Sequence, residues 1–133
     1  MKKISMIFVV LLFFAAGLAT SVQAQESDDV SSSITWESTT FDFGKIPQGK
    51  PVTTEFEFTN SSMVPLIIND VQSSCGCTVP SYPEEPILPG KTGSIVVTFN
   101  AAATGPFSKS ILVKTNATEG YASLVIKGEV ETL

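Results

Sequence analysis

From residue 34 onward the chain alternates between apolar and polar positions in short runs. In "PVTTEFEFTN", Val52, Thr54, Phe56 and Phe58 fall on one side of an extended chain, and Thr53, Glu55, Glu57 and Thr59 on the other. A period of two marks a half-buried strand, because successive side chains point to opposite faces of a sheet. "SIVVTFN" groups Ile95, Val97 and Phe99 in the same way, "SILVKTN" groups Ile111 and Val113, and "ASLVIKGEV" groups Leu124 and Ile126. "ITWE" and "PLIINDVQ" add two β-branched or aromatic runs. Turn chemistry separates them at Pro47-Gln48-Gly49, Asn60-Ser61-Ser62, Pro89-Gly90, Thr104-Gly105-Pro106 and Asn116 to Gly120. The pattern predicts an all-β fold over residues 34–133, an immunoglobulin-like sandwich of about seven antiparallel strands. Trp36 and the phenylalanines supply its core.

The first residues break this pattern. "MKKISMIFVVLLFFAAGLATSVQA" sets Lys2 and Lys3 before an uncharged apolar run, then a stretch of small residues ending at Ala24. That order predicts a cleaved signal peptide over residues 1–24. The run is short for a bilayer span, and no basic stop-transfer cluster follows it. Export is therefore expected, with the periplasm of a Gram-negative bacterium as the first destination and the extracellular space as the second. "QESDDVSSS", residues 25–33, is polar and acidic and reads as a flexible leader.

Charge narrows the partners. Without Lys2 and Lys3 the chain has six lysines against thirteen acids, a net charge of −7, and no arginine. No basic patch for phosphates can be assembled, which excludes nucleic acid, and polybasic attachment to anionic lipid fails likewise. With no histidine in the chain, Ser-His-Asp and Cys-His catalytic sets cannot be built. The acidic pairs Glu55/Glu57 and Glu84/Glu85 lack any sign of a cleft, so neither a catalytic role nor a cofactor is expected.

"FDFGKIPQGKPVTTEFEFTNSSMVPLIINDVQSSCGCT", "ILPGKTGSIVVTFNAAATGPFSKSILVKTN" and "LVIKGEV" together resemble the bacterial DUF1573 family, and more distantly the ASH/MSP/Hydin-type immunoglobulin-like domains. The likeness runs from about Trp36 to Val130. It implies an exported β-sandwich, typical of Gram-negative bacteria such as the Bacteroidetes, and carries no activity. In its shared pattern, Gly44 after Phe41 and Phe43 is expected to release the chain into a loop, and Gly90 after Pro89 to form a type II turn.

Cys75 and Cys77 are the only cysteines, with Gly76 between them. In an exported protein they can close a local disulfide, and glycine would ease the bend that closure needs. So small a ring would constrain little of the unfolded chain, so stability is a poor reason for it. Buried thiols, a bridge to another chain, and Cu(I) held by two thiolates, with Met63 as a soft third ligand, are the other readings. "SYPEEPILPG" follows, a proline-stiffened loop whose Tyr82, Glu84 and Glu85 are candidate contact residues. The sequence thus predicts a non-enzymatic exported module that contacts an envelope protein or component through a free sheet edge or the Cys75–Pro89 end. The alternative is a redox-active or Cu(I)-handling protein built on Cys75 and Cys77.

Overall fold

The computed structural model describes residues 33–117 and 119–132. The expected signal peptide and nearly all of the acidic leader lie outside the described residues.

Eight strands and no helix form among these residues: β1 Ile34–Trp36, β2 Thr40–Pro47, β3 Val52–Asn60, β4 Ile68–Ser73, β5 Thr78–Ser81, β6 Thr92–Phe99, β7 Gly105–Thr115 and β8 Tyr121–Glu131. They make two four-stranded sheets, β1-β3-β6-β5 and β2-β8-β7-β4. The alternating runs behave as their period requires. Phe56, Phe58, Ile95, Val97 and Phe99 point inward from the first sheet, and Ile111, Val113, Leu124 and Ile126 from the second, all buried. Glu55 and Glu57 stay on the outer face.

Two features correct the expectation of about seven antiparallel strands. The chain leaves β1 in the first sheet, crosses at residues 37–39, and joins the second sheet as β2, which pairs with β8 in parallel. Gly44 therefore does not open a loop. It sits inside β2 at a register shift between Asp42 and Lys45, with φ of 66° and its N–H donating to Asp42 Oδ1 at 2.8 Å. A residue with positive φ in a strand makes a bulge, and glycine meets that demand without strain. The chain also crosses at residues 74–77, where it passes from β4 back to the first sheet as β5.

The sandwich has two distinct ends. At one, the β3–β4 and β5–β6 loops meet around Asn60, which is fully buried. Its Nδ2 donates to Val64 O and Ile87 O, each at 2.8 Å, while its Oδ1 accepts from Ser62 N at 2.9 Å and Ser62 Oγ at 2.7 Å. All four hydrogen-bonding positions of the amide are used. Leu88-Pro89-Gly90-Lys91 closes there as the expected type II turn, with Gly90 at φ 76° and Lys91 N donating to Leu88 O at 3.0 Å. At the other end lie the β4–β5 corner, the Asn100–Thr104 loop and Phe107.

Phe107, on β7, depends on a glycine in β8, the strand beside the bulge. It stacks on Phe99 with centroids 4.1 Å apart and approaches Phe43 at 6.4 Å. Its partner across the sheet is Gly128. A Cβ on Gly128 would stand 2.7 Å from Gly44 O and 2.9 Å from the Phe107 ring. The ring occupies the space a side chain would take.

Candidate functional site

The two cysteines form the corner that joins the sheets. Thr78 pairs with Phe99, so the corner belongs to the Phe99 end of β6, whereas Leu88 to Gly90 lie beyond its Thr92 end beside Asn60. Eight residues of strand at about 3.3 Å each separate the two by roughly 23 Å. The segment Cys75–Pro89 consequently spans the height of the sandwich and does not make one surface. Met63, in the β3–β4 loop, is also at the Asn60 end and is 94% exposed, so it cannot serve the cysteines as a third ligand. Among the described residues no group of three or more Cys, Asp and Glu side chains is placed to hold a metal ion.

Cys75 and Cys77 lie at disulfide distance, with Cα atoms 5.3 Å apart. Both are half-buried, and Cys77 packs against the core. Thr78 N donates to Cys75 O at 3.3 Å and closes the turn. Gly76 lies outside the left-handed region and a Cβ on it would meet open space, so the bend does not depend on glycine. Independent hydrogen bonds hold the same backbone: Ser74 N to Ser110 O at 2.9 Å, Asn100 N to Cys77 O at 3.0 Å, and Ser73 Oγ to Cys75 O at 2.8 Å.

Around the sulfurs are groups that sequence reasoning missed. Thr78 is buried, and its Oγ1 lies 3.8 Å from Cys75 Sγ and 3.8 Å from Cys77 Sγ. Cys77 also lines a groove of about 170 Å³ with Phe99, Phe107, Ala102, Gly105 and Lys109. Lys109 occupies an inward register position, two residues before buried Ile111, and has no ion-pair partner among the described residues. Beside the groove, Ala101 is fully buried with φ of 53°, a conformation that L residues other than glycine seldom adopt. The alternation in "GPFSKSILV" could have placed Lys109 on the core face, but the lone charge hides it. Nothing local in the sequence brings Thr78 against both sulfurs, because that contact exists only once the corner is closed.

The proline-stiffened loop divides differently from the expectation. Tyr82 is half-buried and packs against the core, while Glu84 and Glu85 face solvent. The exposed apolar side chains on the β3–β4 and β5–β6 loops include Met63, Val64 at 58% and Leu88 at 56%, with Ile67 less so. Two of the four sheet edges, β5 and β2, have some of their outward backbone groups occupied or missing. Thr78 N on β5 is bonded within the corner and Pro80 has no N–H to offer. On β2, Thr40 O accepts from Ser38 Oγ at 2.9 Å.

Residues 34–130 match the family described as "Protein of unknown function (DUF1573)". The chain belongs to the DUF1573 family. No curated protein matches it by sequence. Among solved structures it is similar to a protein of unknown function from Porphyromonas gingivalis W83, at 15% identity and TM-score 0.63 over 78% of this chain and 51% of that one. It is also similar to the ASH/PapD-like domain 7 of human CEP192, at 9% identity and TM-score 0.70 over 86% and 96% of the two chains. A third, the VesB protease of Vibrio cholerae, matches at 15% identity and TM-score 0.59 over 75% of this chain and 32% of that one. This DUF1573 chain thus spans about half of the Porphyromonas protein and a third of VesB, and at these identities the likeness is one of immunoglobulin-like fold.

Proposed function

We propose that this DUF1573 protein is an exported, non-enzymatic contact module that docks an envelope protein through the Asn60 end of its sandwich. The observation that carries the proposal is the exposed apolar tip of Met63, Val64 and Leu88, set on loops that Asn60 fixes. Exposed apolar side chains on a mobile loop would lose much of their binding energy to ordering; here the buried amide and Pro65, Pro86 and Pro89 have already restricted the backbone. Acidic Glu84 and Glu85 lie on the same loop and favour a partner with basic residues around an apolar contact. At the β5 edge, the bonded Thr78 N–H and Pro80 oppose strand addition. The likeness to an ASH/PapD-like domain supports the reading at the level of fold. Export rests on the sequence pattern of residues 1–24.

A photo-crosslinking residue in place of Met63, with the protein produced in its native host, tests this. A discrete crosslinked partner is expected in the envelope fraction, and it should vanish when Leu88→Asp is added. Crosslinks that are absent, or that persist undiminished with Leu88→Asp in a protein of unchanged melting temperature, would remove the tip as the contact surface.

A further inference from the structure

We infer that the Cys75–Cys77 corner is a dithiol–disulfide exchange centre, acting on a partner polypeptide that carries two cysteines beside an apolar residue. This activity is separate from the contact surface proposed above, which lies at the opposite end of the sandwich.

Four observations converge on it. The ring closed by the bond spans a single intervening residue, so it holds almost nothing together. The corner's backbone is held by hydrogen bonds with Ser110, Asn100 and Ser73 that do not involve the sulfurs. A buried hydroxyl, Thr78 Oγ1, stands at the same 3.8 Å from both sulfurs and can donate to whichever becomes a thiolate. The groove that exposes Cys77 is lined by Phe99, Phe107 and Lys109, in a molecule of net negative charge. A cation lining the groove attracts an approaching thiolate.

The chemistry balances within the two molecules. A partner thiolate, its apolar neighbour seated in the groove, attacks Cys77 Sγ. A new S–S bond forms, the Cys75–Cys77 bond breaks, and its electron pair departs on Cys75 Sγ, where Thr78 Oγ1–H donates. The partner's second thiolate then attacks its own sulfur in the mixed disulfide and releases Cys77 as a thiolate. The partner is oxidised by two electrons to a disulfide and this chain is reduced by two. The two protons lost by the partner's thiols pass through solvent to Cys75 and Cys77. One chain oxidises one partner dithiol, so the step is stoichiometric.

The test uses the oxidised, folded protein and a synthetic peptide with two cysteines next to a phenylalanine, quenched in acid and read by alkylation and intact mass. Loss of the protein disulfide should match peptide oxidation one for one. Thr78→Val should slow the reaction roughly tenfold, by removing a hydrogen bond to a charged sulfur, and Thr78→Ser should restore it. Lys109→Met should slow it several-fold, with an advantage that fades as salt is raised. A Thr78→Val protein that melts early but is not rescued by serine would count against the hydroxyl's role. A disulfide that resists the peptide until denaturant is added, or exchange equally fast in both variants and the parent, would overturn the inference.

Discussion

Asn60 shows how one side chain can organise a whole end of this molecule. It reads as a turn residue, or as part of an N-glycosylation motif, yet it is fully buried with four hydrogen bonds. Asn60→Leu would remove all four side-chain hydrogen bonds and leave Ser62 N without its acceptor, although the Val64 and Ile87 carbonyls keep Ser62 Oγ and Leu66 N as donors; at about 0.5–1.5 kcal/mol net per bond, a loss of roughly 2–5 kcal/mol is expected by chemical denaturation. Gly76 points the other way. Glycine between two cysteines invites a conformational argument, but its φ is unexceptional and its Cβ direction is empty. Gly76→Ala should therefore leave the disulfide formed and the melting temperature within experimental scatter; failure to oxidise would show that the closed ring needs glycine after all. Glu57 carries a third residue-scale prediction. A carboxyl hydrogen bond with Glu37 raises its pKa above the usual glutamate value, and the nearby charges of Glu37 and Glu55 act in the same direction. A raised folded pKa means that the native state favours the protonated form. Stability from this pair therefore grows as pH falls through the folded pKa and is lost above it. Glu57→Gln should raise the melting temperature at neutral pH, and the gain should shrink as the buffer is made acidic.

At the scale of elements, legibility followed alternation. β3, β6, the second half of β7 and β8 each bury every second residue, and a period of two is visible without knowing the partner strand. β2 was hidden because its register shift at Gly44 interrupts the period, and because seven of its eight residues keep substantial exposure at a sheet edge. β5 was hidden because four residues containing a proline do not look like a strand. Parallel pairing of β2 with β8 could not be read at all, since direction depends on where the chain crosses between sheets. The candidate site divides in the same way: the cysteine pair is local and was visible, whereas Thr78 and Lys109 join it only through the corner and the register of β7. The β2–β8 contact makes a prediction of its own. Gly128→Ala would drive a methyl against the Gly44 carbonyl and the Phe107 ring, and neither can move without opening the bulge or the Phe99 stack. Overpacking of this kind costs about 1–3 kcal/mol. Gly128→Ala combined with Phe107→Leu, which frees space at the ring, should recover part of the loss; equal stability of Gly128→Ala and the parent would mean that β2 and β8 part more easily than the packing indicates.

For the whole molecule, the separation of the two ends decides how the proposals relate. The apolar tip sits beside Asn60 and the sulfur corner beside Asn100, with the length of β6 between them. No hydrogen-bonded chain of side chains connects Asn60's partners with those of Cys75 and Cys77 among the described residues. Perturbations more than about 7–10 Å apart without shared partners add, because neither alters the surroundings of the other. Two outcomes are expected together. Replacing both cysteines by serine should lower stability by only about 1 kcal/mol, since the lost ring constrains so little of the unfolded chain, and should leave Met63 crosslinking intact. Leu88→Asp should abolish that crosslinking and leave the rate of reduction at Cys77 unchanged. Measured in one triple variant, the stability changes should sum to within about 0.5 kcal/mol. A larger coupling energy, or a crosslink whose yield follows the redox state of the corner, would mean that the sandwich transmits between its ends, and that contact and sulfur chemistry form one function.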